Sequence, residues 1–76
     1  MSKSIWRDEW SPFRVKLIDE TARCLSNQFS ISTDGQRPSW DALTREQQYN
    51  LTEYIARIFL AQDEALHNLY ERGEIL

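Results

Sequence analysis

Cysteine, histidine, glycine and proline are all scarce in this chain of 76 residues, which has one Cys, one His, two Gly and two Pro. A lone Cys excludes an intrachain disulfide framework, and a lone His leaves little for metal or general-base chemistry. So few glycines leave no room for a phosphate-cradling loop or for the many turns of an all-β fold. No run approaches the roughly 18 consecutive apolar residues of a membrane span. The first ten residues carry Lys3, Arg7, Asp8 and Glu9, with no apolar stretch and no small-residue cleavage site, so a cytoplasmic location is expected. A basic surplus is missing too. Nine Lys and Arg stand against twelve Asp and Glu, for a net charge of −3. That sign opposes the electrostatic footprint of phosphate binding and disfavours nucleic acid as a partner. What is present is balance, at 41% hydrophobic and 28% charged residues, which fits a folded globular chain rather than a disordered one.

Periodicity predicts a helical hairpin. Ser11-Pro12 opens the first helix, Ser as a cap for free backbone N–H groups and Pro where no hydrogen bond is lost. Val15, Ile18, Ala22, Leu25 and Phe29 then recur at helical spacing, predicting a helix over 12–28. A second stripe of Phe13, Leu17 and Cys24 lies roughly 140° around the same helix, so one neighbour does not cover it. Residues 29–39 read as a loop, with Asp34-Gly35 and Pro38 supplying turn chemistry, followed by a single turn over 40–43. Thr44 and Gln47 have capping-box spacing and start a long helix over 45–72, closed by Gly73 as a left-handed cap. Its apolar face reads Leu51, Tyr54, Ile55, Ile58, Phe59, Ala61, Ala65, Leu66 and Leu69.

The two helices differ in length, about 25 Å against about 40 Å at 1.5 Å per residue, so part of the second lacks an intrachain partner. A short helical segment over 4–10, capped by Ser4 and carrying Ile5, Trp6 and Trp10, either closes the core or offers its indoles as anchors for a partner. A hairpin this small buries little area, and pairing into a homodimeric four-helix-type bundle is the economical completion. The expected fold is therefore all-α, a single helical domain over 1–76. Phe13, Leu17, Cys24, Gln62, Leu66 and Leu69 are its candidate oligomer interface. Gln62, near the apolar centre of the long helix, either sets register across that interface or marks where it meets solvent.

Chemistry-bearing constellations are thin. Glu64-Ala65-Leu66-His67 has the Glu-x-x-His spacing used by di-metal carboxylate bundles, but both side chains fall opposite the apolar face, where no inward ligand can sit. Cys24, beside Phe13 and Leu17, reads as an inert buried thiol. The pairs Asp8-Glu9, Asp19-Glu20 and Asp63-Glu64 read as solvated helix surface. No catalytic residue, metal site or cofactor is expected. An outer face of the long helix remains, with Tyr49, Ala56, Leu60 and His67 beside Glu53, Glu64 and Glu71. Residues 1–44 carry six basic and six acidic groups, whereas residues 45–76 carry three basic and six acidic ones. The whole net charge thus lies in the second helix and its tail. Tyr49, Glu53, Leu60, Glu64 and His67 are accordingly the candidate partner-binding set, suited to a protein with a basic surface.

Ile18-Asp-Glu-Thr-Ala22-Arg23, the short loop, Trp40-Asp-Ala-Leu43, Gln47-Gln-Tyr49 and Ala56-Arg57 together form a pattern that resembles small helical orphan and accessory proteins of bacteriophages and prophages. Those proteins often pair an Ala-Arg helix with a Trp-x-x-Leu turn and a second Ala-Arg helix. The resemblance covers about residues 15–61 and carries over no functional residue. It implies a non-catalytic protein that occupies and inhibits a host protein in the host cytoplasm, as anti-CRISPR and host-takeover inhibitors do. Two further classes stay open. One is a dimeric DNA-associated regulator presenting Lys16 and Arg23; the other is a structural subunit of a larger complex.

Overall fold

The computed structural model describes residues 5–74, with Ile5 and Trp6 described in backbone alone. Three helices follow one another: α1 (Ile5–Glu9), α2 (Pro12–Ser32) and α3 (Arg45–Glu71), with a short 3-10 turn at Trp40–Ala42 between the last two. The chain is all-α, with no strand among the described residues. The expected cap at Ser4 and the side chains of Ile5 and Trp6 lie outside what is described.

Capping sets the helix boundaries. Ser11 Oγ accepts from the Arg14 N–H, with Pro12 at the first position of α2. At α3 the Thr44 hydroxyl accepts from the Gln47 N–H, and Gln47 Oε1 accepts from the Thr44 N–H, a complete capping box. α3 ends where the Glu74 N–H reaches the Leu69 carbonyl and Gly73 takes φ 72°. α2 runs four residues beyond the end expected from sequence. Its terminus uses the same closing geometry with Asp34 in the left-handed position at φ 53°, and the Gly35 N–H bonds the Ser30 carbonyl. The Ser32 and Thr33 hydroxyls bond back to the Phe29 carbonyl. Residues that resemble loop composition thus stabilise a helix end through their own oxygens.

The core is small. Ile18 and Ala22 of α2 meet Ile55 and Ala56 of α3, and Trp10, Leu25, Trp40, Leu51 and Phe59 pack around them half-buried. Alanines on both helices let the backbones approach closely at the crossing. Two expectations change here. The packed face of α3 is centred on Thr52, Ile55 and Ala56, so Ala56 is core rather than outer surface, while Tyr54 and Ile58 turn outward. Thr52 tolerates burial because its hydroxyl donates to the Gln48 carbonyl. Cys24 is exposed rather than buried, its Sγ 3.7 Å from Glu20 Oε2. It lies on the side of α2 away from α3, where none of the described residues buries it.

Polar clamps hold the connection. Asn27 Oδ1 accepts from the Trp40 N–H, Gln48 Nε2 donates to the Trp40 carbonyl, and buried Ser26 donates to the Pro38 carbonyl. Trp40 is thereby pinned between α2 and α3. The segment before α2 is held through Arg7, which forms an ion pair with Asp19 at 2.8 Å, and through Trp10, whose ring lies 3.9 Å from the Arg14 guanidinium carbon. Trp10 therefore packs on the core. The overall body measures 43 × 30 × 21 Å with a radius of gyration of 15.0 Å. A compact chain of this length would come to about 11 Å.

Candidate functional site

The outer face proposed from sequence divides in two. Leu60, Glu64 and His67 are exposed along the C-terminal half of α3, with His67 Nε2 3.9 Å from Glu71 Oε1. Tyr49 and Glu53 are half-buried nearer its start. Tyr49 belongs to a groove of about 660 Å³ between α2 and α3. Arg7, Lys16, Arg23 and Arg45 line that groove with Asp19, Glu20, Trp40 and Tyr49. Arg7 is tied to Asp19, and Arg23 lies 3.6 Å from Glu20. The acidic stripe is thus bordered, at its N-terminal end, by a mixed and locally basic hollow. Lys16 and Arg23 were visible as neighbours on one helix face, but the long-range arrival of Arg7 and Arg45 carried no local sequence signal.

The expected oligomer interface is open to solvent over most of its length. Phe13 is 73% exposed, and Leu17, Cys24, Gln62 and Leu66 are exposed as well, with Leu69 half-buried. The structure adds Tyr54, at 61%, and Ile58, at 45%, to this surplus. They join Ala61 and Ala65 in a stripe about 140° around α3 from its packed face. Beyond Asp63, which Arg14 of the first turn of α2 grips at 2.6 Å, α3 continues for about two turns without α2 beside it. Leu66 and Tyr70 are the exposed large apolar residues on that overhang.

Glu64 and His67 do not converge with other ligands. Among the described residues no group of three or more His, Cys, Asp or Glu side chains is placed to hold a metal ion. No helix is long and apolar enough to cross a membrane among those residues. Comparison with protein-family models, with curated proteins and with solved structures returns no match.

Proposed function

We propose that this chain is a small non-catalytic interaction protein that works as a homodimer and binds another protein through the outer surface of α3. The observation that carries the reading is the apolar surplus on one helix. Tyr54, Ile58, Leu60, Leu66 and Tyr70 are all exposed along α3, while four apolar residues are buried among those described. Surplus of this kind on a soluble-type composition marks interaction surfaces. The acidic half of the chain favours a partner with a basic surface, since complementary charge steers encounter and the apolar groups add affinity. The resemblance to phage accessory proteins extends the reading to a host protein that is bound and blocked.

Leu60, His67 and Glu71 are the exposed residues on which the partner reading is tested. A Leu60→Ala/His67→Ala/Glu71→Gln variant should keep the helicity and melting of the wild type. A partner captured from the source cells should bind it at least about tenfold more weakly, the effect of losing a modest anchor with its flanking charge. Equal binding would place the partner on another surface.

The groove supplies a specific observation for a second reading, a DNA-associated regulator, because Lys16, Arg23 and Arg45 face one hollow. Asp19 and Glu20 stand among them and the chain is net acidic, so phosphate contact is weakly supported. The expected result is no retardation of duplex DNA at low salt with micromolar protein. A salt-sensitive shift would favour this reading over the first.

A further inference from the structure

The uncovered stripe on α3 has a register of its own. Tyr54, Ile58, Ala61 and Ala65 recur four, three and four apart, the spacing of a coiled-coil seam. Tyr54 and Ile58 expose large fractions of their surfaces, and Ala61 and Ala65 are exposed. Large residues fill the N-terminal half of this seam and small ones its C-terminal half. Arg57 and Glu64 flank it on one side, seven residues apart and too distant to meet each other within one helix. Both are exposed, and neither forms an ion pair within the chain among the described residues.

The geometry points to a second copy of this chain as the occupant, with α3 lying antiparallel to α3 of that copy. This rests on the homodimer reading above and gives it a direction and a register. In the antiparallel arrangement Tyr54 faces Ala65 of the second copy and Ile58 faces Ala61 of the second copy, and the two-fold repeats both layers. Each layer then sets a large side chain against a small one, the interdigitation that fills a helix interface without voids. In the same register Arg57 meets Glu64 of the second copy, and Glu64 meets Arg57 of the second copy. A parallel pair would stack tyrosine on tyrosine and alanine on alanine, alternately bulging and void, and would bring no opposite charges together. Gln62 falls beside the seam, a flanking position rather than a buried polar layer.

Area supports the same occupant. The chain exposes 6223 Å². A folded monomer of its mass would expose about 4,900 Å². The excess of about 1,300 Å² exceeds the roughly 800 Å² that each partner contributes to a standard stable interface. A two-fold pairing of identical faces is the commonest way for such an excess to be covered.

Charge exchange tests direction and register together. Arg57→Glu and Glu64→Arg each place like charges opposite one another twice per dimer, and each should weaken dimerisation about tenfold by sedimentation velocity across a concentration series. The Arg57→Glu/Glu64→Arg double variant restores both pairs and should return dimer affinity to within about threefold of the wild type. Both positions are exposed, and far-UV circular dichroism of each variant should match the wild type. A wild-type dimer indifferent to all three variants keeps the homodimer and overturns this register. A wild type that stays monomeric at hundreds of micromolar overturns the homodimer and this pairing with it. A monomer that binds a foreign helix through Tyr54 and Ile58 assigns the stripe to that partner and overturns the second copy as its occupant.

Discussion

Ile18→Ala should lower the melting temperature by at least about 8 °C. Ile18 is the one large side chain with no exposed surface in the described structure, and it sits where α2 crosses Ala56 and Ile55 of α3. Removing three carbons from a buried site costs about 2–5 kcal/mol, through lost transfer energy and the cavity left behind. A chain of this length has a total stability of about 4–11 kcal/mol, so the loss is a large fraction of the whole. Each kcal/mol moves the melting point of so small a domain by about 4–8 °C. Ile31→Ala is the matched control, since Ile31 is 78% exposed near the end of α2 and should change stability by less than about 0.5 kcal/mol. Both melts belong at one low protein concentration, because dimerisation would stabilise the folded state by mass action. A melt of the Ile18→Ala protein within two or so degrees of wild type would mean that the hairpin core is elsewhere.

Much of the hairpin was legible because its signals are local. Ser11-Pro12, Thr44 with Gln47, and Gly73 act on backbone groups within four residues, so their roles follow from spacing alone. The end of α2 was not legible in that way. Ser32, Thr33 and Asp34 favour loops when read one by one, but together they satisfy the last carbonyls of a helix. The rotation of α3 was hidden for a different reason. Its sequence carries two apolar stripes, one through Ile55 and Phe59 and one through Tyr54 and Ile58, and hydrophobicity does not rank them. Thr52 and Ala56 decide it, because a self-bonded hydroxyl and a small methyl admit the close approach of α2. The stripe left over is the one that carries the proposed pairing. Cys24 differs for the converse reason, since its apolar neighbours on the wheel, Phe13 and Leu17, are themselves exposed.

Arg14→Ala should destabilise the protein by about 2 kcal/mol, more than any other exposed or half-exposed charge. Three elements meet on this one side chain. Its guanidinium carbon lies 3.9 Å from the Trp10 ring centroid and 5.7 Å from that of Phe59, and a terminal nitrogen donates to Asp63 at 2.6 Å. The ion pair alone is a poor source of stability, because the Asp63 side chain is about half exposed (51%) and screened. Stacking of a partly desolvated guanidinium on an indole contributes about 0.5–2 kcal/mol, and the buried aliphatic stem adds packing. Asp63→Asn should therefore cost no more than about 0.5 kcal/mol, and high salt should reproduce that small loss rather than the large one. Arg14→Lys keeps the charge but not the planar stack, and should lose about half of what alanine loses. Arg14→Met separates the contributions further. It keeps part of the stem but loses both the charge and the planar stack, so it should fall between lysine and alanine, while the unpartnered buried Nε is removed in both the lysine and the methionine variants. Chemical denaturation of the four variants gives the ranking, and the Trp10 indole resonance reports the release of the N-terminal segment in Arg14→Ala. If Asp63→Asn proves as damaging as Arg14→Ala, charge rather than stacking holds the three elements together, and the segment before α2 should detach in high salt.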